Sequence, residues 1–156
     1  MINARFALLL AGLGSFGLLA GAFAFQHIGG LAPCPMCIWQ RWPHVVAIVI
    51  ALLALALLPG LRRPLAWIGA LVMAVSTGLG LYHAGVEQKW WAGPNVCSGG
   101  VDPAGLSTDD LLAQLQSTPM VPCDAITWEL FGISMAGWNG LISVALLILW
   151  SMAARR

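Results

Sequence analysis

Four cysteines carry the chemistry that this chain can do, and they come as two unlike pairs. Cys34-Pro35-Met36-Cys37 is a C-x-x-C, with Arg41 four residues beyond its second thiol. A helix that starts at Pro35 suits this pair, because proline costs no hydrogen bond at the first helical position. Cys34 then lies near the N-cap and Cys37 in the first turn, where the helix dipole favours a thiolate, the reactive form of the side chain. Arg41 falls on the same face one turn deeper, where its charge favours the Cys37 thiolate and its N–H groups can reach an oxygen of a bound acceptor. A structural clip with a snorkelling arginine is the plainer reading, but a C-x-x-C bridge closes too small a loop to stabilise much. Zinc would need a second C-x2-C, and the other two cysteines, Cys97 and Cys123, are 26 residues apart. No metal is expected.

Cys97 and Cys123 sit in a stretch of 43 residues from Val86 to Trp128, punctuated by Gly93-Pro94, Gly99-Gly100, Asp102-Pro103, Pro119 and Pro122. A loop of this length is usually functional or disordered. A bridge across it is worth ~3–4 kcal/mol of loop entropy, so a purely structural disulfide stays open beside an exchanging one. Within the loop, "STDDLLAQL" reads as a short amphipathic helix from Ser107 to Leu115, capped by Ser107, with leucines on one face that can rest on a membrane surface.

The elements that must position these thiols are membrane spans. Of the 156 residues 60% are hydrophobic and only 8% are charged, and the mean hydropathy is +0.86. Four long apolar runs stand out, at about 6–25, 42–58, 65–82 and 130–152. At ~1.5 Å per residue each can cross a hydrocarbon core of ~30 Å. The expected fold is an all-α membrane protein: one domain over residues 1–156, built as a four-helix transmembrane bundle. Ala22-Phe23-Ala24 looks like a secretory cleavage site, but the run before it is longer than a signal's apolar region, so the first span is expected to be retained.

Charge fixes the expected orientation. Arg5, Arg62, Arg63, Arg155 and Arg156 fall at the two ends and in the short middle loop, which the positive-inside rule makes cytoplasmic. The six acids lie in or beside the 85–129 loop on the opposite side. Loops 26–41 and 85–129 are therefore both outside, and all four cysteines share a compartment where disulfides persist. With no inner cysteine, the chain is not expected to carry electrons from cytosolic thiols across the membrane. Trp39, Trp42, Trp90, Trp91 and Trp128 are expected at the outer interface. Gly17-x-x-x-Gly21 and the series Gly132, Ala136, Gly140 read as small-residue ridges for close helix packing, within the bundle or between two copies, and Trp138 beside the second ridge as packing or interface.

Two pairs on one membrane face suggest a relay: an outer pair exchanges with a soluble partner, and an inner pair meets an oxidant dissolved in the lipid, for which a quinone is the obvious chemistry. The residues also resemble a known family. "PCPMCIWQR", the widely spaced second pair and "MAGWNG" opening the last span resemble the DsbB family, bacterial inner-membrane proteins of disulfide bond formation that reoxidise the periplasmic dithiol oxidase DsbA with quinone. The resemblance covers nearly the whole chain. It implies that Cys37 is the thiolate facing quinone, with Cys34 its disulfide partner. Cys97 would be attacked by a DsbA-like partner, with Cys123 as its intramolecular partner. Arg41 would orient the quinone, ubiquinone or menaquinone, and His83 in "LYHAG" matches a histidine near the family's quinone site. His44, two turns below Cys37 and after a kink expected at Pro43, is a candidate proton route or quinone contact, or else a histidine bonded to a neighbouring helix. The interval between the second pair is somewhat short for the family, which leaves room for a specialised partner.

The reading is thus a thiol:quinone oxidoreductase of the inner membrane, served by the quinone pool and a periplasmic dithiol oxidase, with no nucleic-acid partner. The alternatives are a vitamin-K-epoxide-reductase-like enzyme, whose active C-x-x-C comes late in the chain instead of first, and a scaffold or transporter with structural disulfides. A thiol-ligated metal carrier is a further one.

Overall fold

The computed structural model describes residues 3–56, 59–97 and 121–156. Four helices form the body: α1 (Ala4–His27), α2 (Pro35–Ala56), α3 (Pro59–Glu87) and α4 (Met135–Ala154). All four are long and apolar enough to cross a membrane, as in a multi-pass membrane protein. The helix expected over Ser107–Leu115 lies outside the described residues.

Each boundary has a local cause. The Asn3 side chain accepts from the Phe6 N–H at 2.8 Å and caps α1. Cys34 does the same for α2 with sulfur: the Cys37 N–H points at Cys34 Sγ, 3.1 Å away. The helix then runs without a break past Pro43. It also begins seven residues before the apolar run, so both thiols ride on its first turn. At the end of α3 the chain turns through Lys89 in the left-handed region (φ 60°). Trp90 N–H bonds Gly85 O at 2.9 Å and Lys89 N–H bonds Val86 O at 3.0 Å, the paired bonds of a Schellman motif with lysine in the usual glycine place. This turn folds Trp91 back to stack on Tyr82, ring centroids 5.9 Å apart.

The last span begins later than its hydropathy implies. Glu129–Leu130 and Ile133–Ser134 pair antiparallel around Phe131-Gly132. Both turn residues have positive φ, the requirement of a tight two-residue hairpin. The apolar letters of "ELFGIS" continue the span in composition but not in structure, and Phe131 stands 86% exposed at the tip. Ser134 closes the hairpin and caps α4, accepting from Gly137 N–H at 3.1 Å.

The helices pack in a ring, α1 on α2, α2 on α3, α3 on α4 and α4 on α1. The core between them is mostly alanine, with Leu8, Met73, Leu146 and Trp150 filling the gaps. Large side chains such as Leu13, Leu52 and Leu71 point outwards, as suits a surface solvated by lipid, where close approach of small residues holds helices together. The backbones of α3 and α4 come together at Gly80, where an added Cβ would meet Gly140 Cα at 2.7 Å. The second expected ridge is therefore real at Ala136 and Gly140, but Gly132 belongs to the hairpin. The first does not pack a helix within the bundle: an added Cβ at Gly17 or Gly21 meets nothing within 4 Å, and both glycines border a cavity.

These contacts separate two glycine substitutions that look alike in sequence. Gly80→Ala drives a Cβ into backbone and should destabilise by about 1–3 kcal/mol. Gly17→Ala should stay within ~0.5 kcal/mol of wild type. Thermal unfolding of the detergent-solubilised variants checks the contrast.

Candidate active site

The start of α2 and the end of α3 meet beneath the segment that carries Cys123, and the four cysteines gather there. Cys97 and Cys123 are joined in a disulfide, while Cys34 and Cys37 are free. Cys34, Met36, Val86, Cys97 and Cys123 form one buried apolar cluster with Cys37 and Val121 packed against it. The two pairs therefore share a single patch of core.

Within the first pair the sulfurs lie 2.6 Å apart, close to the bonding distance of about 2.05 Å. The hydrogen bond between Cys34 and Cys37, and then burial, push the Cys34 thiol well above the ordinary thiol range.

Cys37 opens into a cavity of about 340 Å³ between α1, α2 and α4. Its floor and sides are apolar: Gly17, Gly21 and Phe25 of α1, and Trp138 and Ile142 of α4. Five residues singled out from the sequence, Cys34, Cys37, Arg41, His44 and His83, all line it. Arg41 reaches across to α1, where Nη1 donates to Gln26 Oε1 at 2.6 Å and the guanidinium sits 4.9 Å from the Phe23 ring centre. Its Nε–H is buried and has no partner. Cys97 and Cys123 do not border this cavity. Cys97 lines a second hollow with Trp91, Gly93 and Pro122.

Along the cavity runs a row of buried polar groups, of which sequence reasoning picked out only the two histidines. Gln40 Nε2 lies 2.5 Å from His83 Nδ1, and Asn139 Nδ2 donates to Gln40 Oε1 at 2.8 Å. Asn139 Oδ1 lies 2.9 Å from His44 Nε2. Ser76 Oγ continues the row, 3.3 Å from His44 and 3.0 Å from Ser143 Oγ. At the other end, His83 Nε2 is 3.2 Å from the Cys123 carbonyl and 3.6 Å from Cys34 Sγ. Glu87, which the sequence placed with the outer acids, is the last residue of α3 and half-buried. Ser134 Oγ donates to its carboxylate, and its Oε1 lies 4.0 Å from His83 Nε2.

Cys34, Cys37 and His83 offer three donor atoms within 4.8 Å of one another, the size of a soft-metal site. The third donor is turned the wrong way for a metal: with a carbonyl oxygen 3.2 Å from Nε2, that nitrogen carries its proton and has no lone pair to give.

Comparison with known proteins agrees with the arrangement. A family model described as disulfide bond formation protein DsbB matches residues 4–153. The disulfide bond formation protein B of Albidiferax ferrireducens is 36% identical to this chain, over 92% of it and 86% of the relative. That of Polaromonas sp. is 34% identical over 91% and 85%. That of Verminephrobacter eiseniae is 36% identical over 97% and 86%. No solved structure matches the chain. Four membrane-length helices, two cysteine pairs packed as one cluster and a match that runs nearly end to end place this chain in the DsbB family of disulfide bond formation proteins.

Proposed function

We propose that the protein is a protein-dithiol:quinone oxidoreductase of the bacterial inner membrane, which reoxidises a DsbA-like periplasmic dithiol oxidase. The observation that carries the reading is the apolar cavity onto which Cys37 opens, with an unpaired Arg41 N–H in its wall. A flat apolar ring with carbonyl oxygens fits such walls and needs such a donor. His44 Nδ1 is likewise buried without a partner. With Nε2 turned to the Asn139 carbonyl oxygen, Nδ1 is an acceptor, suited to a hydroxyl of the reduced ring. When bound, a quinone supplies the sink for two electrons and two protons.

The chain's own residues account for the rest of the cycle. A thiolate of the reduced partner attacks Cys97 Sγ, the Cys97–Cys123 bond breaks, and a mixed disulfide forms. The partner's second thiol displaces Cys97, which leaves the partner oxidised and Cys97 and Cys123 reduced. Those two thiols then reduce the Cys34–Cys37 disulfide across the shared cluster. The pattern in the structure, outer pair bridged and inner pair free, corresponds to the moment after this transfer. The arginines at both ends and in the middle loop support a topology with cytoplasmic termini and every cysteine on the periplasmic side.

Purified protein supplied with a reduced thioredoxin-fold oxidase should reduce a soluble quinone analogue, with turnover abolished by both Cys37→Ser and Cys97→Ser. Loss with Cys37→Ser alone would make the outer pair structural, and no turnover in folded wild type with any quinone would end the oxidase reading. Arg41→Gln should lower kcat/KM for the quinone by about 10- to 100-fold, matching the ~1.5–3 kcal/mol of a charged hydrogen bond. The same variant should leave the rate of mixed-disulfide formation at Cys97 unchanged, which quenched-flow trapping of the partner would measure.

A further inference from the structure

The row of buried amides does more than fill the core, because amides differ at their two ends and imidazoles at their two nitrogens. A backbone carbonyl oxygen can only accept, so the His83 nitrogen 3.2 Å from Cys123 O must be the one that carries hydrogen. The Glu87 carboxylate, 4.0 Å from that nitrogen, favours the same proton. The opposite nitrogen must then be a bare acceptor, and it faces the NH2 end of Gln40 at 2.5 Å. Gln40 is held in that sense because its carbonyl end accepts from Asn139 Nδ2, and Asn139 in turn shows its oxygen to His44 Nε2. Each amide in the row has one orientation that satisfies its neighbours: reversing Gln40 would set donor against donor at Asn139, and reversing Asn139 would set oxygen against oxygen at Gln40.

We infer that Gln40 and Asn139 are positioning residues that lock His83 as its Nε2–H tautomer, with that N–H held at the seam between the two cysteine pairs. The inference rests on the relay proposed above and assigns His83 a task in it at the thiols. His83 Nε2 lies 3.6 Å from Cys34 Sγ while the ring is tied to the Cys123 backbone. When the outer dithiol reduces the inner disulfide, Cys123 attacks Cys34 and Cys37 leaves. Cys97 then attacks Cys123, the Cys34–Cys123 bond breaks, and its electron pair goes to Cys34 sulfur. The Nε2–H of His83 hydrogen-bonds that departing sulfur, and the proton released by Cys97 ends on Cys34, whose surroundings retain it. The opposite tautomer would present a lone pair to the thiolate and oppose the step.

The chain has only three histidines, His27, His44 and His83, so the tautomers can be read directly from ¹⁵N-histidine-labelled protein in detergent, by long-range ¹H–¹⁵N correlation. Wild type should show His83 as a single Nε2–H form. Gln40→Glu replaces the donor to Nδ1 with a carboxylate and should move the His83 Nδ1 signal into the protonated region, with His44 unchanged because Asn139 keeps its acceptor. Gln40→Met, a second variant of similar shape, removes the donor and should give a mixture of tautomers. A wild-type His83 protonated on Nδ1, or a Nδ1 signal that Gln40→Glu leaves in place, would overturn the inference. Neither result depends on quinone turnover, so the inference can fail while the oxidase assay succeeds, and the reverse.

Discussion

A polar side chain carried into a lipid-facing bundle has to find its hydrogen bonds inside the protein, since an unpaired amide or imidazole there costs on the order of several kcal/mol. The bond between Gln40 and His83 is where this constraint acts most strongly. It joins α2 to α3, and Asn139 extends it to α4, so three of the four helices are held in one register at the level of the thiols. Alanines and glycines bring the helices close, but they set no particular rotation of one helix against another. The polar row does. It turns His83 towards Cys34 and His44 and Gln40 inwards, and it leaves the adjoining face of α2, with Cys37 and Arg41, to border the cavity.

The same constraint explains which atoms are left unpaired. Among the described residues, only three buried side-chain polar atoms lack a partner: Arg41 Nε, His44 Nδ1 and Trp150 Nε1. Two of the three belong to walls of one cavity, one a donor and the other an acceptor. The proposed quinone site is thus where, among the described residues, a donor and an acceptor stand unpaired beside an apolar hollow.

The spans were legible because hydropathy over about 20 residues is a strong signal, and the thiol site was legible because C-x-x-C followed by an arginine one turn on has few bland explanations. The helix start at Pro35 followed from the proline itself. What sequence could not supply was pairing at a distance. Gln40 and His83 are 43 residues apart, and Gln40 and Asn139 are 99 apart; nothing about a lone glutamine or asparagine in an apolar run announces such a partner. Glycine spacing was ambiguous for a related reason. Gly17 and Gly21 have the spacing of a packing ridge, yet an absent side chain opens a cavity as readily as it admits a helix. At 129–134 the apolar composition concealed a hairpin, with Phe131-Gly132 the one local signal for the turn.

In the proposed relay, direct exchange between the two cysteine pairs is what joins the two halves of the site. It is tested most simply by leaving one cysteine of each. The double variant Cys37→Ser, Cys97→Ser retains Cys34 and Cys123, which share the buried cluster and are bridged by the His83 ring. Mild oxidation of this variant in detergent should give an intramolecular Cys34–Cys123 disulfide, identified by peptide mapping without reduction. If both thiols stay free in folded protein, or pair only between molecules, the two cysteine pairs do not exchange directly and the relay is wrong.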